Sequence, residues 1–218
     1  MLIAQAAESH FTLSAALLAL ELPPSLLFTP HRALASEKQL WTLWIVCWMA
    51  LAFFSKATKR SESPVQRIEH LFPAIAGFFL IFWDRSMTGW PATPLFHPGP
   101  ILLLACVIST VAGLLFSVWA RLTLGSNWSG TVTIKQDHKL IRRGPYRWIR
   151  HPIYTGMLLA LLGSALTQGM VSGAIGFALV LLAFYRKARR EESFLSHEFG
   201  EGFIDHQRHT GMFLPRFS

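Results

Sequence analysis

Residues 153–185 read IYTGMLLALLGSALTQGMVSGAIGFALVLLAFY, two apolar runs joined by a stretch of small residues. A single helix of that length would far exceed the roughly 20 residues needed to cross a bilayer core. The join, Gly169-Met170-Val171-Ser172-Gly173, therefore reads as the tight turn of a helical hairpin between Ile153–Gln168 and Gly173–Tyr185. The other reading of its GxxxG spacing is a helix-packing face. A hairpin of two apolar helices places the whole chain in a definite class, an all-α, multi-span helical membrane protein.

Working outward from the hairpin, three more apolar runs approach spanning length. Ile101–Ala120 is uncharged, Leu40–Ser55 is rich in Trp, and His70–Trp83 ends at Asp84-Arg85. About five transmembrane helices result. The run from Phe11 to Phe28 holds Glu21 and Pro23-Pro24, which break a helix. It has no basic residue before Arg32, so it lacks the charged front of a secretory signal. It reads as a short interfacial or half-inserted helix, with a sixth span as the alternative. The chain divides into residues 1–120, an interfacial segment plus three spans, and residues 121–218, which hold the hairpin and the polar segments around it.

Composition agrees. The 218 residues are 52% hydrophobic and only 15% charged, against about 25% charged in a soluble domain. A formal charge of +8 would by itself suggest nucleic acid. Joined to a mean hydropathy of +0.38, it indicates basic loops between membrane helices, with no nucleic-acid partner. The only two cysteines, Cys47 and Cys106, sit in apolar runs, which leaves neither a disulfide framework nor a CxxC metal site.

Basic residues mark the cytoplasmic side of a membrane protein. Lys56, Lys59, Arg60 and Arg67 lie between the first two spans. Arg121, Lys135, Lys139, Arg142, Arg143, Arg147 and Arg150 lie between the third and fourth, and Arg186, Lys187, Arg189, Arg190, Arg208 and Arg216 after the fifth. Five spans put these 17 of the 20 basic residues on one face. The N-terminus is then outside and the C-terminus cytoplasmic. The polar segments 121–151 and 186–218 both face the cytoplasm and flank the hairpin, so chemistry that uses a soluble cofactor belongs where they meet.

The chain contains no GxGxxG, P-loop, HExxH or GxSxG motif. His197, His206 and His209 cluster without a matching carboxylate or cysteine pattern. They read as solvated histidines of a cytoplasmic tail, with no metal site. Two segments do carry chemistry. Residues 138–156 read HKLIRRGPYRWIRHPIYTG. Gly144-Pro145 marks a turn, and Pro152 suits the first position of the next helix, whose open amides face the cytoplasm and favour an anion. Arg150 and His151 add charge there, and Tyr146 and Tyr154 offer ring faces for a base or a sulfonium. Arg142, Arg143 and Arg147 read more simply as contacts to anionic lipid head groups. The second segment, Arg189–Gly200, continues the last helix into the cytoplasm and carries Glu191 and Glu192, carboxylates able to accept hydrogen bonds from ribose hydroxyls or an amino group. Taken alone, they read as helix-surface pairs such as Lys187–Glu191.

Taken together, the two segments resemble the isoprenylcysteine carboxyl methyltransferase family. The shared pattern is His138-Lys139-Leu140-Ile141, Gly144-Pro145-Tyr146, Arg150-His151-Pro152-Ile153-Tyr154-Thr155-Gly156, Glu191-Glu192 with Leu195, Phe199-Gly200 and a final Leu214-Pro215. The resemblance covers about residues 120–217 and makes residues 121–218 the methyltransferase core. It implies S-adenosylmethionine as cofactor, held by His138, Lys139, Leu140, Ile141, Tyr146, His151, Pro152, Ile153, Tyr154, Glu191 and Glu192. It also implies a substrate-facing cation at Lys187, where relatives often carry Arg, and places Phe203 and His206 where relatives carry two tyrosines. Arg150, Lys187 and Glu192 are then the candidate catalytic residues.

The implied acceptor is lipid-like or prenylated and enters from the bilayer. A carboxylate is already ionised at neutral pH and needs positioning more than a base, whereas a phospholipid amine would need Glu192 or His197 to remove a proton. Two other readings compete: an NADPH-dependent membrane reductase of the sterol-reductase type, and a non-enzymatic scaffold that binds lipid through its basic loops.

Overall fold

Four of the helices begin on a proline, which costs nothing at a position whose N–H has no intrahelical acceptor. A computed structural model of the chain describes residues 29–52, 58–61, 63–82, 88–128, 133–135 and 140–216. The expected interfacial segment 11–28, the Asp84-Arg85 pair and the candidate ligands His138 and Lys139 lie outside the described residues. The main helices are α1 (Pro30–Ala52), α2 (Pro64–Ile81), α3 (Pro100–Leu124), α4 (Pro152–Gln168) and α5 (Val171–Phe199), followed by the short α6 (Glu201–His209). Three of the five expected runs fall wholly within one main helix, and the described parts of Leu40–Ser55 and His70–Trp83 fall in α1 up to Ala52 and in α2 up to Ile81. Two of these, α3 and α5, are long and apolar enough to cross a membrane by length and composition.

The hairpin turn forms as the small residues predict. Helix α4 ends at Gln168, Gly169 caps it in the left-handed conformation at φ 65°, and α5 starts two residues later. The carbonyl of Gly169 accepts from the backbone N–H groups of Leu95 and Phe96, which ties the turn to the segment before α3. Helix α2 starts in a capping box, with the Gln66 N–H donating to Ser63 Oγ at 3.3 Å and the Ser63 N–H to Gln66 Oε1 at 3.2 Å.

Helix α4 packs along α3 and α5 along α2, with α1 across α3 and α4. Glycines set both crossings. A Cβ on Gly156 of α4 would lie 2.5 Å from the Gly113 carbonyl oxygen of α3, and one on Gly176 of α5 would lie 2.5 Å from the Gly77 carbonyl oxygen of α2. Small residues at such points let helix backbones touch. Helix α1 is locked on by polar contacts. Trp41 Nε1 donates to Ser164 Oγ at 3.2 Å and Trp44 Nε1 to Ser117 Oγ at 2.8 Å. The buried Glu37 Oε1 accepts from Thr110 Oγ1 at 3.4 Å and Thr167 Oγ1 at 2.8 Å. The outward faces stay apolar, as at Val46, Phe72, Ile75, Ile101 and Leu115.

One element departs from the all-α expectation. Thr58–Ser61 and Thr133–Lys135 pair as a two-stranded antiparallel ribbon, β1–β2, with a bulge between Thr58 and Arg60. These segments are short, and β-branched Thr and Ile suit a strand once a partner is near. The pairing joins the α1–α2 and α3–α4 connections, which the basic-residue pattern expects on one face.

Candidate active site

Residues 148–155 and 210–216 are stitched together by their backbones, and this joins the two chemical segments. The Gly211 N–H donates to Trp148 O at 3.0 Å, the Arg150 N–H to Gly211 O at 2.8 Å, the His151 N–H to Met212 O at 3.1 Å and the Arg216 N–H to Trp148 O at 3.2 Å. Thr155 Oγ1 donates to Phe213 O at 2.7 Å. The 3-10 turn Gly144–Arg147 folds Tyr146 inward, and Pro152 starts α4 as expected, so Arg150, His151 and Tyr154 face the C-terminal half of α5.

Glu191 and Glu192 converge on His151 from opposite sides. His151 Nδ1 is 3.3 Å from Glu191 Oε2, and Nε2 is 3.3 Å from Glu192 Oε1. A carboxylate oxygen within 3.3 Å of each ring nitrogen favours the imidazolium form, in which both nitrogens are donors. Burial acts to lower the His151 pKa, but the hydrogen bonds and charges of the two glutamates outweigh it and hold the value above that of an ordinary histidine. Arg150 Nε donates to Glu192 Oε1 at 2.7 Å, and its Nη1 donates to Gln207 O at 3.3 Å and to Thr210 O. Gln207 Nε2 donates to Glu192 Oε2 at 3.2 Å. Glu192 is thus saturated and 4% exposed, clamped between α4 and α6.

Glu191 is more open. Its Oε1 accepts from Tyr154 OH at 2.6 Å. The Tyr154 ring stacks on Phe184, with centroids 4.9 Å apart, and lies parallel to His151 at 5.5 Å. Lys187 Nζ stands 5.5 Å from the Tyr154 ring centroid, one turn before Glu191.

Beside this cluster lies a half-open cleft lined by Leu124, Leu140, Ile141, Tyr146, Arg150, His151, Leu195, Phe203 and His206. Its free volume is about 60 Å³, room for a few waters. Burial pushes the Tyr146 phenol far up, so it is neutral. Of the expected ligands, Leu140, Ile141, Tyr146 and His151 line the cleft. Pro152 and Ile153 are buried behind it in the first turn of α4. Tyr154, Lys187 and Glu191 form the adjoining face.

Two expectations change, and one residue of the site had not been expected. His206 is not a solvated tail residue: it is 6% exposed, whereas His197 and His209 are exposed. It sits three positions after the buried Phe203, a spacing that puts both on one face of α6. Burial, together with the charges of Arg142 and Arg150, pushes its pKa down to about 4. Arg142 does not simply face lipid: it pairs with Asp205 at 2.9 Å and bonds to Gly202 O, holding α6 to the 140–143 loop. Gln207 was not singled out by the sequence, because a glutamine on a short polar helix carries no local signal. Among the described residues no cluster of metal-ligating side chains occurs.

Residues 103–197 match the model of the isoprenylcysteine carboxyl methyltransferase family. The protein-S-isoprenylcysteine O-methyltransferase of Homo sapiens is 30% identical over 116 residues, 49% of this chain and 41% of that protein. The probable protein-S-isoprenylcysteine O-methyltransferase of Oryza sativa subsp. indica is 30% identical over 112 residues, 50% of this chain and 59% of that one. The cobalt-zinc-cadmium resistance protein CzcN of Cupriavidus metallidurans is 33% identical over 98 residues, 44% and 45% of the two chains. The matches thus span less than two-thirds of the length of these relatives. A solved structure of a eukaryotic intramembrane Ras methyltransferase aligns at 23% identity over 73% of this chain and 56% of that one, with a TM-score of 0.47.

Proposed function

We propose that the protein, whose residues 103–197 match the model of the isoprenylcysteine carboxyl methyltransferase family, is an integral-membrane methyltransferase. It uses S-adenosylmethionine and acts on a lipid-like acceptor, the carboxylate of an isoprenylcysteine-type substrate. The observation that carries this reading is the His151 ring held between Glu191 and Glu192, beside a cleft that opens where α4, α5 and α6 meet.

The donor set fits the cofactor. An apolar wall of Leu140, Ile141, Leu195 and Phe203 suits a purine face, and the charged edge at His151 and Glu191 suits an amino-acid moiety. S-adenosylmethionine supplies the electrophilic methyl group. The chain's own residues bind, orient and exclude water. Glu191, the more open carboxylate, faces ribose hydroxyls or the amino group, while Tyr154 and Phe184 offer ring faces beside the transfer point. Arg150 acts as a positioning residue: its guanidinium clamps Glu192 and caps the carbonyl end of α6. Lys187, one turn nearer the hairpin, is the point charge that holds the acceptor carboxylate.

Glu192 accepts three hydrogen bonds and so is poorly placed as a general base for an amine. This favours an acceptor that is already ionised. The small cleft implies that α6 and the 140–143 loop part when a nucleoside enters, about Gly200, whose φ of 50° marks the α5–α6 joint.

Calorimetric titration of S-adenosylhomocysteine into the detergent-solubilised protein, beside NADPH, tests this reading. Saturable binding of the first, weakened in Glu191→Ala and His151→Ala, is the expected result. Binding of NADPH alone points to a reductase, and binding of neither points to a lipid-binding scaffold.

A further inference from the structure

Like the Tyr146 phenol, His206 is a polar side chain of the cleft that the ionic cluster does not use. It is 6% exposed and lines the cleft, and among the described residues neither of its ring nitrogens has a hydrogen-bond partner. Its ring lies 6.5 Å from that of Phe203, tilted by 54°, on the same face of α6. The two rings thus offer a flat ligand an apolar face and a polar edge side by side. Arg150 and His151 also line the cleft, and both pair with Glu192.

We propose that His206 reads the base of the bound nucleoside, hydrogen-bonding the N6/N7 edge of adenine while Phe203, Leu140 and Leu195 cover the purine face. This rests on the methyl-donor reading above and deepens it by assigning the base-recognition residue. The chemistry matches. Burial and the nearby Arg142 and Arg150 charges keep His206 neutral at ordinary pH. A neutral imidazole carries one donor and one acceptor, and the adenine edge offers the N6 amino donor and the N7 acceptor. A cation at this position would instead repel the sulfonium end of the cofactor. The residue lies on α6, beyond the segment 103–197 that matches the family model.

The test is a binding cycle across ligand and residue. S-adenosylhomocysteine, its 7-deaza analogue and its 6-deamino analogue are titrated into the full-length wild type, His206→Phe and His206→Gln in detergent, each checked for its thermal transition. On the wild type, at least one analogue binds about tenfold more weakly than the parent, the scale of one buried hydrogen bond. His206→Phe weakens the parent by a similar factor and binds all three ligands alike, while His206→Gln, whose amide also donates and accepts, keeps part of the discrimination. Equal binding of the three ligands by the wild type overturns the proposal without any variant. Unchanged ratios in a folded His206→Phe, or in His206→Ala if the Phe variant does not fold, overturn it too. A wild type that binds none of the three overturns the methyl-donor reading itself, and this assignment with it.

Discussion

His151 has a carboxylate at each nitrogen, and Glu192 has a cation or amide at each oxygen. Removing one member of such a buried ionic set leaves the others unpaired, which costs more than the set contributes when complete. Glu192→Gln is expected to destabilise the protein by about 3 kcal/mol, read as a lowered midpoint of thermal unfolding in detergent. Glu191→Gln, at a more exposed carboxylate, costs less stability and shows its effect in cofactor affinity. The two buried histidines act on stability at opposite ends of the pH scale. His206 has its pKa depressed to about 4, so its contribution is complete above the unfolded value near 6.5 and is lost as pH falls toward 4. His151 has its pKa raised, so its contribution is complete below about 6.5 and is lost as pH rises through the folded value. Melting temperatures recorded against pH should show the acid limb flattened in His206→Phe and the alkaline limb flattened in His151→Gln.

At the scale of elements, two glycine crossings decide which helices touch. A side chain at Gly156 meets the Gly113 carbonyl oxygen at 2.5 Å and the Ser117 nitrogen at 2.7 Å, both of them backbone atoms that cannot swing aside. Gly156→Leu must push α4 off α3, at a cost of roughly 2 kcal/mol or more. The expected readout is an earlier thermal transition, together with weaker cofactor binding, because α4 carries Tyr154 on its first turn and His151 at its N-cap. At α6, Arg142 and Asp205 form an exposed pair of small intrinsic worth. Arg142→Ala is therefore expected to leave the melting temperature nearly unchanged while speeding hydrogen exchange of the α6 amides, since the variant frees the helix from the 140–143 loop.

For the whole molecule, the proposed orientation puts the site, the basic loops and the C-terminus on the cytoplasmic face. A reporter fused after Ser218 should be found in the cytoplasm, and one on the outer face would reverse the orientation. The division of labour is physical. Under the proposed function a lipid-bearing acceptor would arrive through the bilayer beside apolar helix faces such as those of α2 and α3, and a charged, soluble cofactor from water at the α4–α5–α6 junction.

Much of this was legible in the chain because it is written in local pattern. The apolar runs and the prolines that open four helices mark where helices lie, and Gly169 marks the hairpin turn, since each acts within a few residues of itself. Arg150-His151-Pro152-Ile153-Tyr154 and Glu191-Glu192 could be singled out as chemical segments for the same reason. What they do to one another depends on a separation of about 40 residues closed in space, as in the Arg150–Glu192 bond. No local pattern says that one imidazole will sit between two consecutive glutamates, that Gln207 will complete Glu192, or that His206 will turn inward while His209 stays in water. Likewise the β1–β2 ribbon joins segments too short to announce themselves. The sequence by itself determined the helices, their turn and the reactive residues, because those follow from the chain's own neighbours. Only the tertiary structure decided which of the residues are clamps and which face the cleft, because burial and pairing are properties of contacts between distant parts of the chain.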